Sequence, residues 1–352
     1  MSVSALDTGP IAFELPSALE AREPPEVRGL RRDHVRLMVA RRSEASVAHR
    51  LFCELPDVLD AGDLLVVNVS GTLPAALPAT RPDGRAVRIH VATRVPGLED
   101  RWRVVEVRSA DGARPERGRA SERLSAPGDV TFELVAPYAR SARLVVARID
   151  GADGSVQEYL ARHGSPIRYG YASHEWPLEA YQTVYARSPG SAEMPSAGRP
   201  FTAELIVQLL AKGVLIAPLT LHTGVSSPER HEPPFAEWFE VPELTAELVR
   251  TVRGRGGRVI AVGTTVVRAL ESVAQDGGKV AARSGWTNQV ITPEHPPQLV
   301  DGLITGWHEP EASHLWMLEA LAGPEVIDVS YRAALARGYL WHEFGDSHLL
   351  LP

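Results

Sequence analysis

Thr202-Ala203-Glu204-Leu205-Ile206-Val207-Gln208-Leu209-Leu210-Ala211-Lys212-Gly213, followed by Val214-Leu215-Ile216-Ala217-Pro218-Leu219-Thr220-Leu221-His222-Thr223-Gly224, decides the fold class. Leu205, Ile206, Leu209 and Leu210 recur at helical spacing, and Gly213 is a C-terminal stop. The mostly apolar run that follows reads as a buried strand. The unit then repeats as a helix at Leu244–Arg253, a strand at Arg258–Val262 and a helix at Thr265–Ala274. Gln298–Thr305 is a further strand, Val326–Arg337 a helix, and His348–Leu351 a short last strand. Toward the N-terminus, Asp63–Asn68 is a strand after a helix-like stretch at Pro56–Ala61. Alternation of helix and apolar strand predicts an α/β layer with parallel pairing.

Between these parts the period changes. Val87, Ile89 and Val91 alternate with Arg88 and His90, and Val130, Phe132 and Leu134 with Thr131 and Glu133. Leu144 and Val146 continue the pattern, Trp102–Val107 adds a fourth run, and Gly, Pro and Asp clusters separate them. Period-two alternation predicts a small antiparallel sheet or barrel. The expected architecture is therefore a mixed α/β body with partly parallel strands, built from residues 1–75 and 156–352, with a β domain inserted at 76–155. Ser188–Gly198 reads as one long loop, the kind that often carries function.

A chain of 352 residues with 44% hydrophobic and 23% charged residues fits two globular domains. Cys53 is the single cysteine, which excludes an intramolecular disulfide and a cysteine-built zinc site. The start, MSVSALDTG, has no signal-peptide pattern, and no apolar run reaches the ~20 residues of a membrane span. A soluble, cytoplasmic protein without membrane or metal partners is expected. The net charge is −7, which excludes a uniformly basic nucleic-acid coat. Residues 76–150 nevertheless hold 14 Arg against 10 Asp and Glu. The insert is thus the more basic part, and Arg85, Arg88, Arg101 and Arg103 are its candidate nucleic-acid contacts.

In a parallel α/β layer ligands collect at the C-terminal ends of strands. Three such ends here are polar or glycine-rich: His222-Thr223-Gly224, Gly263-Thr264-Thr265, and Thr305-Gly306-Trp307-His308. Glycine lets a ligand approach the backbone at Gly224 and Gly263, and a helix start at Thr264-Thr265 offers free N–H groups to an anion. His222 and His308 are candidate general bases, and Asp346, before the last strand, is the candidate carboxylate. Gly254-Arg255-Gly256-Gly257 precedes a strand instead of following one and is no dinucleotide fingerprint; His231-Glu232 lacks a zincin partner. No P-loop and no Gly-x-Ser-x-Gly elbow occurs.

A set of ordered motifs then gives the chain a resemblance. They are Tyr181-Gln182-Thr183-Val184-Tyr185, Pro195-Ser196-Ala197-Gly198 with Phe201-Thr202, Thr220-Leu221-His222, Val262-Gly263-Thr264-Thr265 with Arg268 and Glu271, Ser284-Gly285-Trp286-Thr287, and Gly345-Asp346. Phe13-Glu14-Leu15-Pro16, Leu55-Pro56-Asp57 and Gly62–Asn68 match at the start. In order and spacing the chain resembles the S-adenosylmethionine:tRNA ribosyltransferase-isomerase family of queuosine biosynthesis. The resemblance implies transfer and isomerisation of the ribosyl part of S-adenosylmethionine onto 7-aminomethyl-7-deazaguanine in tRNA. Adenine and methionine leave, and no metal or redox cofactor takes part. It implies substrate contacts at the motif residues, including Tyr181, Gln182, Thr183, Tyr185, Ser196, Ala197, Gly198, Thr202 and Thr220, with Gly224, Gly263, Thr264, Thr265, Arg268, Glu271 and Trp286. A sulfonium acidifies the adjacent 5′ carbon, so one positioned base can start the rearrangement.

The chain also departs from the family pattern. Asn-Asp-Thr-Arg reads Asn68-Val69-Ser70-Gly71, and Gly-Leu-His-Phe-Thr reads Gly198-Arg199-Pro200-Phe201-Thr202. His-Ser-Glu reads Phe235-Ala236-Glu237 after a shortened segment, and Thr-Asn-Phe-His-Leu-Pro reads Thr305-Gly306-Trp307-His308-Glu309-Pro310. Loss of an Arg and of His residues removes contacts that Gly71, Pro200 and Phe235 cannot replace. Two alternatives to the family reaction stay open at this level: an S-adenosylmethionine-dependent enzyme with a non-tRNA acceptor, and a non-catalytic nucleotide- or RNA-binding relative. The sequence leaves the acceptor, the base and the oligomeric state unassigned.

Overall fold

Leu64–Asn68 shows how the body is layered. Leu64 and Val66 enter one apolar core, Leu65 and Val67 the other, so this strand is buried on both faces. It lies inside a nine-stranded mixed sheet of the computed structural model, which describes residues 11–139, 141–172, 174–225, 234–275, 278–310 and 312–352. Leu64–Asn68 pairs in parallel with Leu215–Leu221 on one side and Val259–Val262 on the other, and Val259–Val262 pairs in parallel with Gly302–Gly306. Four strands therefore end at one edge. Ser347–Leu351 then runs antiparallel to Gly302–Gly306, which brings Gly345 and Asp346 to that same edge.

Helices Glu243–Gly254, Thr264–Glu271, His314–Ala322 and Pro324–Ala336 cover one face, and Ala203–Lys212 covers the other. Thr202 caps Ala203–Lys212 by accepting from the Leu205 N–H, and Gly213 ends it at φ +95°, as its sequence position requires. Pro218 sits mid-strand without loss, because Glu237–Val241 pairs on that side only with Thr220 and Leu221.

Some elements are not visible in the sequence pattern. The hairpin Arg36–Arg41/Ser46–Leu51 completes one end of the sheet, and Glu237–Val241 with Arg283–Thr287 the other. The stretch expected as one long loop contains a short strand, Ser188–Ser191, that pairs with Ser70–Thr72.

The period-two region folds as a closed six-stranded barrel running from Ala76–Thr80 to Leu144–Asp150. Leu77, Ile89, Val105, Val107, Phe132 and Leu134 fill it, and helix Val156–His163 adds Tyr159 and Leu160 to that core. No helix among the described residues is long and apolar enough to cross a membrane. The N-terminal MSVSALDTG and the His231-Glu232 pair lie outside the described residues.

Candidate active site

A cavity of about 480 Å³ lies between the barrel and the edge where the parallel strands end. The sheet contributes Thr223-Gly224, Gly263-Thr264-Thr265 and the run from Thr305 to Glu309; the barrel contributes Ala92, Thr93 and Arg108. Tyr169 to Tyr171, Glu193 to Ala197, and His342-Glu343 close the remaining walls.

Gly263 turns the chain at φ +99°, a value glycine adopts without strain, and the helix Thr264–Glu271 starts there without a side-chain cap. Its first two residues, Thr264 and Thr265, line the cavity. The Thr265 hydroxyl is held by the Asn68 amide at 3.3 Å. Asn68 in turn bonds the backbone of Ser70 and Leu221, so it locks two strand ends to this helix start.

Arg268 lines the cavity, but its guanidinium is occupied. It pairs with Glu237 and donates to the carbonyls of Gln289, Phe235 and Thr287 at 3.1–3.3 Å. Glu237 accepts from the Gly224 N–H at 2.8 Å. Arg268 thus positions Glu237 and Gly224, instead of offering a fork to a substrate carboxylate.

His308 is half-buried, with Nε2 at 2.8 Å from the Thr305 hydroxyl and its ring stacked on His314 at 4.6 Å. Burial holds its pKa well below the ordinary histidine value, and His314 is pushed down to about 4 for the same reason. Both imidazoles are neutral at neutral pH. On the same cavity wall, the Tyr169 phenol donates to Glu193, and the Tyr171 phenol to Glu343 at 2.5 Å. Burial, reinforced by these carboxylates, raises both phenols far above their usual value, so they remain protonated donors. Burial also raises Glu343 and Glu309. His342 stacks flat on Tyr171 at 3.8 Å while held at φ +72°. A non-glycine residue in this region is strained, and such strain concentrates at functional sites.

Of the residues singled out from sequence, Ser196, Ala197, Gly224, Gly263, Thr264, Thr265, Arg268 and His308 line this cavity. Others have structural partners elsewhere. Asp346 lies off this cavity: its carboxylate accepts from the Arg36 guanidinium at 2.7 Å, and from the Arg36 and Leu340 N–H groups. His222 is likewise displaced from the cavity wall. Its Nδ1 lies 2.8 Å from the Ser70 hydroxyl, its ring stacks on Trp238, and burial pushes it to about 4. Gly190 has to be glycine, because a Cβ there would lie 2.4 Å from that ring.

Glu271 accepts from the N–H groups of Gln298, Leu299 and Val300, and Thr202 is a helix cap. Gln182 completes the edge of Ser70–Thr72 by bonding both backbone groups of Thr72. Tyr181 packs on Phe344, and Tyr185 packs on Phe201 above Gly198, where any Cβ would strike the Tyr185 hydroxyl; Thr183 borders the same space. Thr220 is a buried strand residue paired with Glu240, and Trp286 lies on the edge strand. In the barrel, Arg103 is buried against Asp100, which withdraws it as a phosphate contact. Arg85, Arg88 and Arg101 face Glu116, Glu175 and Glu99. Among the departures Val69, Gly71, Pro200 and Phe235, Phe235 is the one on the cavity wall, packed against Tyr138 at 5.8 Å.

The family model described as "Queuosine biosynthesis protein" matches residues 9–350. The S-adenosylmethionine:tRNA ribosyltransferase-isomerase of Symbiobacterium thermophilum is 37% identical over 349 residues, covering 96% of this chain and 98% of that protein. The chain belongs to the S-adenosylmethionine:tRNA ribosyltransferase-isomerase family. The Thermus thermophilus member is also 37% identical, over 96% of this chain and 98% of its own length. The crystal structure of the Thermotoga maritima S-adenosylmethionine tRNA ribosyltransferase superposes with a TM-score of 0.54 at 31% identity, covering 96% of this chain and 99% of that one. The family is one of transferases, and the mixed α/β body and barrel expected from the sequence are its architecture here. Among the described residues no group of three or more metal-ligating side chains is gathered.

Proposed function

We propose that the chain transfers and isomerises the ribosyl moiety of S-adenosylmethionine onto 7-aminomethyl-7-deazaguanine in tRNA, releasing adenine and methionine. Its membership of the family and the names of its relatives support both substrates. The observation that carries the reading is the charge of the cavity. Glu193, Glu237, Glu309 and Glu343 line it against Arg108 and Arg268, and each of those guanidiniums already has a carboxylate partner. An acidic wall suits a sulfonium and a protonated aminomethyl group. The uncapped start of Thr264–Glu271 suits the methionine carboxylate.

His308 is the proton acceptor in this reading. A neutral imidazole anchored by Thr305 takes the proton from the acidified 5′ carbon, and the Tyr171–Glu343 pair, also on the cavity wall, holds the amine that attacks.

Incubation with S-adenosylmethionine, with and without tRNA, tests the reading through adenine release followed by chromatography. Adenine should appear with tRNA bearing the aminomethyl base and be absent without it. Release that is indifferent to tRNA would favour a different acceptor. Thr265→Val should weaken S-adenosylmethionine binding by about 1–3 kcal/mol, the loss of a hydrogen bond to a charged group. Isothermal calorimetry reads this directly, and unchanged affinity would remove Thr265 from the donor site.

A further inference from the structure

Trp238 and Trp286 are directly opposite each other on the antiparallel strands Glu237–Val241 and Arg283–Thr287, which places both indoles on one face. Arg94, exposed at the end of a barrel strand, holds its guanidinium 5.7 Å from the Trp238 ring and 5.9 Å from the Trp286 ring. His222 stacks on Trp238 at 5.2 Å, and the His222 N–H donates to the Trp238 carbonyl at 2.9 Å. Both indoles are partly exposed, and Arg283–Thr287 is the terminal strand of the sheet.

This group adjoins the cavity through three separate segments. Thr93, Thr223 and Glu237 line the cavity; their chain neighbours Arg94, His222 and Trp238 form the group outside it. A ligand whose reacting part enters the cavity would therefore lay its next portion against the two indoles. Paired aromatic faces with an adjoining cation suit an unpaired nucleobase and its phosphate. Every base has a π-face to stack, and guanidinium binds phosphate in two-pronged fashion. A base-paired segment presents no free face to such a platform. The barrel arginines Arg85, Arg88 and Arg101 pair directly with acids, whereas Arg94, whose charge is felt by Asp100, makes no direct ion pair among the described residues.

We propose that Trp286, Trp238 and Arg94 form a stacking platform for an unpaired nucleotide next to the one whose base enters the cavity. The proposal rests on tRNA being the acceptor. Trp286 and Arg94 are positioning residues that set which RNA is presented, and the chemistry stays in the cavity. Trp238, already stacked on His222, is the fixed back of the platform, and Trp286 is the side open to the incoming base.

The test measures binding of a fluorescently labelled RNA hairpin with an unpaired loop, beside the corresponding fully paired duplex, to the intact protein. The hairpin should bind more tightly than the duplex. Trp286→Ala should weaken the hairpin by about five- to a hundredfold, the span for losing one base–aromatic stack, while leaving S-adenosylmethionine affinity and the duplex unchanged. Trp286→Phe should recover most of the loss. Arg94→Gln should lower the slope of log affinity against log salt by about one phosphate contact. Hairpin binding by Trp286→Ala equal to that of the unsubstituted protein overturns the platform alone. If the unsubstituted protein binds neither RNA yet still binds S-adenosylmethionine, the tRNA acceptor falls, and the platform with it.

Discussion

Replacing Glu106 by glutamine should destabilise the protein by about 3–5 kcal/mol, the cost of breaking a buried ion pair from one side. Glu106 is wholly buried in the barrel wall. Its two oxygens meet Arg108 at 2.9 Å and Arg143 at 3.0 Å. Arginine cannot shed its charge, so removing the carboxylate leaves two buried guanidiniums against a neutral amide. The nearby imidazole offers no relief: His90, 3.8 Å from Glu106, is pushed to about 3 by burial and by Arg108, Arg88 and Arg143. Total stability is on the order of 5–15 kcal/mol, so such a loss is a large share of it. Urea unfolding should show it as a shifted midpoint, with Glu99→Gln as the comparison. Glu99 pairs with Arg101 on the surface, and its loss should cost under about 1 kcal/mol. Equal midpoints for the two variants would mean that water reaches the Glu106 cluster. Arg108 also bonds the carbonyls of Gly112 and Ala113 and lies beneath the Tyr169 ring at 5.6 Å. The same carboxylate therefore supports the wall on which the Tyr169–Glu193 pair stands.

That link explains which parts of the site are legible in sequence. Local periodicity determines Ala203–Lys212 with its Gly213 stop, the apolar parallel strands, and the alternating barrel strands, because each is specified within about ten residues. Glycine-bounded strand ends point to Gly224, Gly263 and Thr264-Thr265 by the same local logic. Asp346 misleads because its role depends on direction. Ser347–Leu351 enters antiparallel to Gly302–Gly306 and parallel to Arg36–Arg41, and only that topology sets Arg36 against it. His222 misleads because the side toward which a strand-end side chain turns is decided by Ser70, Gly190 and Trp238, all distant in sequence. Tyr169, Tyr171, Glu193 and Glu343 lie on irregular segments with no period, and docking of the barrel on the sheet gathers them. The signals available were the run Tyr169-Gly170-Tyr171, two aromatics about a glycine just beyond the barrel, and the polar cluster Glu343-Phe344-Gly345-Asp346 before the last strand.

Replacing His308 by alanine should lower turnover by about a hundredfold or more while leaving S-adenosylmethionine affinity little changed. Of the three groups the sequence offers as acid or base, it alone faces the cavity, and its Nε2 is oriented by Thr305 while Trp341 holds its carbonyl at 3.0 Å. The sign of the pH dependence follows from its surroundings. Burial, with His314 and His348 nearby, lowers its pKa well below 6.5, so the neutral base persists as the pH falls through the range where an exposed histidine would be protonated. Adenine release should accordingly hold its rate as the pH falls through 6.5, and decline only at lower pH. His308→Gln separates proton transfer from positioning, because the amide can still bond Thr305 but cannot accept the proton. Turnover by His308→Gln as low as that of the alanine variant supports the base. Turnover near that of the unsubstituted protein would make His308 a positioning residue and pass the proton to Glu343, whose pKa burial raises toward the working range. The acid limb would then shift in Glu343→Gln and not in His308→Gln.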